Sequence, residues 1–292
     1  MRVAFLTTDD LDGYQIDDDH VVVPAAALGI QIDFVPWKAP TRWQDYDAVV
    51  IRSVWDYQHD VDDFLACLEK IEALGIPLWN PSAVARWNME KGYLAELGAR
   101  GLPVVPSHFA RLESEDQLRT LASRIGGPVV VKPRVGASGQ DTWMLTPGEH
   151  PDRWAKAAGV LRDREIVLQP FLSRIMSEGE LSLILIDGQS SHMIRKRPVG
   201  GEFRSQEEHG GEVVQADDAE FSAWALDFVS RVPEAKDLLY ARIDAIRDDE
   251  GRWLLGELEL IEPSLYLRFD PESPARLARA LMNRLNRPSL TS

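Results

Sequence analysis

The feature that most constrains the fold is an alternation of short apolar runs with helical segments over the first hundred residues. VAFLT (3–7), IQIDFV (30–35), AVVIRSV (48–54) and IPLW (76–79) are rich in β-branched and aromatic residues over strand-like lengths. Between them, DDHVVVPAAALG reads as a helix burdened by Pro24, and DVDDFLACLEKIEALG as an amphipathic helix ended by Gly75. Parallel strands need a crossover between them, and helices supply it. This stretch therefore predicts a small parallel α/β sheet.

A further helix is expected around 83–100, and the proline-rich GLPVVPSHF then marks a boundary near residue 103. Beyond it the pattern predicts a helix near 114–125, strand PVVVKP, loop VGASGQD, strand TWML, a helix near 149–161 and strand EIVLQPFL. ELSLILIDGQSSHMIRKRP follows as a hairpin turning at Asp187-Gly188, then a helix near 217–231. LLYARIDAIRDDEGRWLLGELELIEP reads as a second hairpin, and a helix near 273–286 carries the stripe Leu277, Ala280, Leu281 and Leu285. The expected fold class is α/β plus α+β, with units at 1–103, 104–172 and 173–292.

Charge narrows the partners. The 292 residues carry 32 Lys plus Arg against 47 Asp plus Glu, a net −15 that repels phosphate backbones and anionic lipid. Nucleic acid and membrane are therefore not expected, although a local basic patch remains able to hold a small anion. Cys67 is the single cysteine, which rules out an intrachain disulfide and a thiolate metal cluster. MRVAFLTTDD turns acidic too early for a signal sequence, so a cytoplasmic protein is expected.

Three constellations carry chemistry. Lys132 ends the run Val129–Val131 and precedes Gly136-Ala137-Ser138-Gly139. A lysine ending a buried strand needs an anion, and glycines let backbone N–H groups approach phosphate oxygens. An ordinary surface turn fits the same residues. Glu257 and Glu259 alternate with Leu258 and Leu260, so the two carboxylates share one strand face, with Asp244 and Arg242 across the hairpin. Three carboxylates on facing strands suit a hard divalent cation; a solvated face with salt bridges fits equally. In EIVLQPFLSRIMSEGELSL, Gln169 to Leu172 end one strand and Glu180 begins another, an arrangement able to pack a purine and reach ribose hydroxyls or to serve as a plain connector.

The order of these segments resembles the ATP-grasp superfamily, most closely its glutathione synthetase-like branch, over most of the chain beyond residue 48. The matching stretches are NPSAVARWNMEKGYL, VVVKPRVGASG, IVLQPFL, GELSLILIDG, RPVGGEFRSQEEHGG, and RIDAI with GELELIEP. The resemblance implies that Lys91 and Lys132 bind nucleotide phosphates. It makes Gly136, Ser138 and Gly139 part of a mobile lid, sets Gln169 and Leu172 beside adenine, and gives Glu180 the ribose. Asp244 and Glu257 match metal-binding acids, and Arg242 an arginine that steadies the transferred phosphoryl group, with Arg197 or Arg204 adding charge. Glu259 departs from the asparagine usual there; it keeps an oxygen ligand and adds charge beside the metal.

The implied chemistry is ADP-forming carboxylate–amine ligation through an acyl phosphate, with ATP and two Mg²⁺ ions. Such transfer depends on charge neutralisation and positioning. The substrate is expected to be an amino-acid-like small molecule. Arg52 and Asp56 in IRSVWDYQHD would take its carboxylate and amino groups, and His209 and Gly210 in EEHGG would lie near the acceptor. Packing of Trp55 and Tyr57 with a turn-capping Asp56 accounts for the first motif almost as well, and a loop position accounts for His209. IRSVWDY with GELELIEPSLYL also resembles the small ligases that close cycloserine from a ureido-serine precursor, which implies antibiotic biosynthesis. Dimerisation is common in the superfamily, so a homodimer is a further expectation. Competing readings are a nucleotide-binding regulator without ligase activity and a phosphotransferase.

Overall fold

The computed structural model describes residues 1–137 and 139–287. In chain order the strands are β1 (Arg2–Thr7), β2 (Gln31–Pro36), β3 (Ala48–Ser53), β4 (Leu78–Trp79), β5 (His108–Arg111), β6 (Val129–Pro133), β7 (Trp143–Leu145), β8 (Glu165–Pro170), β9 (Glu180–Ile186), β10 (Gln189–Arg197), β11 (Glu212–Ala216), β12 (Tyr240–Arg247) and β13 (Trp253–Glu259). The α-helices are α1 (Val22–Ala27), α2 (Val61–Ala73), α3 (Ser82–Asn88), α4 (Tyr93–Ala99), α5 (Glu115–Ile125), α6 (Pro151–Leu161), α7 (Arg174–Ser177), α8 (Ala219–Ser230) and α9 (Ser273–Leu285).

β1 to β4 form a parallel sheet in the order β2-β1-β3-β4. Every residue of β3 is buried, as expected of a strand covered on both faces. Pro24 sits in the first turn of α1, where its missing N–H has no helical partner to lose. β5 to β8 make a second, antiparallel sheet in the order β5-β8-β6-β7. Its Val129, Val131, Ile166 and Leu168 pack on Leu118 and Ala122 of α5 and Trp154 and Leu161 of α6. Alternation then sends Val130, Lys132 and Gln169 to the opposite face, where all three line a cleft.

The third sheet runs β11-β10-β9-β12-β13, all antiparallel. Leu181, Leu183, Ile243 and Leu258 form one face, packed on Phe221 and Phe228 of α8 and Leu94 and Leu97 of α4. The opposite face carries Ser182, Asp244 and Glu257 in one cross-strand row. Farther along it, Ile184 and Ile186 join α9 and the first sheet in a shared core. Asp187 and Gly188 both take positive φ (50° and 74°), the pair of left-handed residues that a two-residue hairpin turn needs.

The helix expected over 83–100 is broken. α3 stops at Asn88 and α4 starts at Tyr93, because the intervening backbone pairs with the chain beyond β6: Glu90 bridges Val135, and Lys91 N–H donates to Arg134 O at 2.9 Å. β5, β11 and α7 were not legible as elements. Among the described residues no helix is long and apolar enough to cross a membrane.

Candidate active site

The outer edge of β13 determines where its two carboxylates stand. Leu258 N–H donates to the Tyr93 hydroxyl (3.0 Å), Asn88 Nδ2 donates to Leu258 O (2.8 Å), and Leu260 N–H donates to Asn88 Oδ1 (2.9 Å). Side chains from α3 and α4 thus take the place of a sixth strand and satisfy buried backbone groups. With Leu258 and Leu260 turned into the core, Glu257 and Glu259 face the cleft.

Four cations meet four carboxylates there. Lys132 Nζ lies 2.7 Å from Glu257 Oε1, and Lys91 Nζ 4.0 Å from the same oxygen. The break between α3 and α4 delivers Lys91, whose ammonium also donates to Gly136 O at 2.8 Å. Lys196 Nζ reaches Asp244 at 3.0 Å and Glu180 at 3.4 Å, and Arg242 holds Asp244 at 2.8 Å and pairs with Glu259. Burial pushes the Glu257 carboxyl up, but Lys132 and then Lys91 outweigh it, leaving it lowered to about 2. Asp244 is likewise pulled well below the carboxylate range by Arg242 and Lys196 against the effect of burial. Burial pushes the Glu259 carboxyl up, with Asp244 and Glu257 adding to it, against the pull of the Arg242 guanidinium that it pairs with.

The expected nucleotide residues line this cleft: Lys91, Lys132, Gly136, Gly139, Gln169, Leu172 and Glu180, with Arg204, Arg242, Asp244, Glu257 and Glu259. Ser138 lies outside the described residues. Leu172, Ile175, Val130 and Ile246 add apolar lining to the cleft. Arg204 is bound to Glu202 at 2.9 Å, which, chiefly through that hydrogen bond, lowers the Glu202 carboxyl to about 2.

Three expectations do not reach the cleft. Arg52 is 3% exposed and held by Asp18 (2.8 Å) and Pro263 O (3.0 Å), fastening β3 to its neighbours, and it is not in the lining of the cleft. Asp56 accepts from Trp37 Nε1 (2.7 Å) and pairs with Lys38 (3.3 Å), whereas the flanking Trp55 and Tyr57 line the cleft. Arg197 stands one residue out of phase. Strand alternation turns Lys196 to the carboxylates, and Arg197 packs with Arg195 around Gly179, where a Cβ would come 2.6 Å from Lys196 O.

His209 and Gly210 lie beside the cleft rather than in its lining, which takes Phe203 to Gln206 and Glu208 from the same loop. Gly211 shapes that loop, because a Cβ there would fall 2.1 Å from Ser205 O. The sequence reading missed Lys196, whose signal is a lysine in phase with Ile194, and Glu262, whose proximity follows only from the turn after β13.

Residues 3–80 match the family "D-cycloserine synthetase DcsG, N-terminal domain". Over nearly its whole length the chain is 29% identical to the cycloserine biosynthesis protein DcsG of Streptomyces lavendulae, covering 98% of this chain and 99% of that protein. The crystal structure of D-cycloserine synthetase DcsG superposes with a TM-score of 0.84 at 28% identity, covering 98% of this chain and 100% of that one. The ATP-grasp ligase PsnB, solved with minimal precursor, Mg and ADP, gives a TM-score of 0.63 at 17% identity, with 98% of each chain covered. The chain has the fold of the ATP-grasp ligases.

The acids of this ligase fit a hard cation. Asp244, Glu257 and Glu259 offer oxygen donors alone on one sheet face, the chemistry Mg²⁺ prefers. Among the described residues no three His, Cys, Asp or Glu side chains make a ready metal cage.

Proposed function

We propose that this ADP-forming carboxylate–amine ligase activates the carboxylate of an amino-acid-like small molecule as an acyl phosphate, which a nitrogen of the same molecule attacks to close a ring. The observation that carries it is the balanced cleft, in which Lys91, Lys132, Lys196 and Arg242 neutralise Glu180, Asp244, Glu257 and Glu259. Anionic phosphates entering alone would upset that balance, as would cations entering alone. ATP arriving with two Mg²⁺ ions preserves it: phosphates take the lysines, and metal takes the carboxylates the lysines release.

In this mechanism Lys91 and Lys132 bind the phosphates, and Arg242 faces the oxygens of the transferred phosphoryl group with Arg204 beside it. Gln169 and Leu172 flank the adenine, and Glu180 takes the ribose hydroxyls. Asp244, Glu257 and Glu259 would hold Mg²⁺, which supplies charge neutralisation at the phosphates. The loop containing Gly136 and Gly139 excludes water from an intermediate that water would hydrolyse. Residues 1–103 carry substrate selection, 104–172 the lid, and 173–292 the metal-binding acids of a cytoplasmic enzyme.

Ring closure rests on the full-length similarity to DcsG, whose name records cycloserine biosynthesis. The test is ADP and phosphate release with Mg-ATP across amino acids, dipeptides and O-ureido-serine, each with and without added amines, with products read by mass. Release that requires a carboxylate and yields a cyclic product without added amine is expected. Release yielding a phosphorylated hydroxyl would replace the ligase reading with a phosphotransferase.

A further inference from the structure

Glu262 is an acid of the cleft that takes no part in this charge balance. Glu262 lines the cleft three residues beyond Glu259, where the chain leaves β13. Glu180, Asp244, Glu257 and Glu259 each ion-pair with Lys or Arg, but among the described residues no Lys, Arg or His ion-pairs with Glu262. The Tyr57 hydroxyl lies beside it. Burial pushes the carboxyl up to about 7, while Tyr57, Lys91 and Arg242 draw it down. A partly buried carboxyl without a cation is costly to ionise, so the site is poised to take one.

The wall around Glu262 is aromatic and held in place. Trp55 Nε1 donates to Glu262 O at 3.0 Å, and the other side of the indole meets Tyr14 with ring centroids 4.8 Å apart. Tyr57 is 3% exposed and rests on Phe64 at 5.1 Å between centroids. An acid walled by two immobilised aromatic side chains, with no cation paired to it, takes a small organic cation chiefly by charge.

We propose that Glu262, walled by Trp55 and Tyr57, is the subsite that receives the protonated amino group of the carboxylate substrate. This rests on the ligase reading and gives the N-terminal wall a role that Asp56, turned toward Trp37 and Lys38, does not fill. Specificity follows directly. A 2-hydroxy acid of the same skeleton would leave the buried carboxyl without its cation and bind weakly.

The test measures binding without turnover. Wild type, Glu262→Gln and Glu262→Asp are saturated with Mg-ADP and titrated calorimetrically with D- and L-serine, O-ureido-D- and L-serine, and glycerate as the hydroxy-acid counterpart. At least one amino compound should bind wild type, with glycerate at least about 10-fold weaker, the scale of one charge-assisted hydrogen bond. Glu262→Gln should lose about 10-fold or more of amino-compound affinity, Glu262→Asp less, and both should bind ADP as wild type does. Equal affinity of Glu262→Gln and wild type would overturn the proposal. So would wild type binding no amino compound better than glycerate, or Glu262→Gln losing turnover alone, which is the signature of a proton acceptor. Failure of the ligase reading would appear separately, as absent ADP binding or release.

Discussion

Lys196 is 2% exposed and lies between Asp244 and Glu180, where burial alone would strip its proton and the two carboxylates hold its pKa above the ordinary lysine value. Removing one partner from such a group leaves charge without compensation, the expensive case for a buried ion pair. Lys196→Met is therefore expected to lower unfolding stability by about 3 kcal/mol in urea titrations. A loss below about 1 kcal/mol, the range of an exposed pair, would show that water already screens the network. Phase decides what was legible at this scale. RKR offers three cations in a row, and only the strand's exact pairing shows that the middle one enters the cleft. Arg52 and Asp56 had suitable chemistry at a strand end, yet local partners consume both; nearest neighbours in space are not written in a spacing.

β10 illustrates how one element fastens another. His192 is buried on it, its Nε2 donating to Leu265 O at 2.8 Å and its Nδ1 accepting from Ser191 Oγ at 3.0 Å, which ties down the segment that follows β13. Desolvation lowers the His192 pKa. The folded state therefore holds its neutral form, and the unfolded chain binds a proton first as pH falls through about 6.5. Stability should decline with falling pH across that value, and His192→Gln should flatten the slope in denaturant titrations between about pH 5.5 and 7.5. An unchanged slope in the variant would move the effect elsewhere. Long apolar elements such as β3 and α2 were legible because their own periodicity specifies them. β5 and β11 are short and half exposed (HFAR, EVVQA), so tertiary pairing alone makes them strands. The break at Met89–Gly92 was hidden for the same reason, since its cause is backbone bonding to residues beyond β6.

Across the whole molecule, an acidic surface encloses a cleft whose charges cancel internally. The second sheet contributes Lys132, the third Glu257, and the break between α3 and α4 Lys91, so the ion pairs at Glu257 also join two sheets. Order along the chain made this architecture legible, because six short segments at fitting intervals specify a fold that none specifies alone. Substrate chemistry was not legible, because Trp55, Tyr57 and Glu262 meet only after more than two hundred residues of intervening chain. The central claim is that phosphoryl transfer to a substrate carboxylate precedes bond formation to nitrogen, and its direct test is oxygen transfer. A carboxylate substrate that supports ADP release, O-ureido-serine first, is labelled with ¹⁸O in both carboxylate oxygens and turned over with unlabelled Mg-ATP. The account predicts one ¹⁸O in each phosphate released. Phosphate free of label while product still forms would contradict an acyl phosphate.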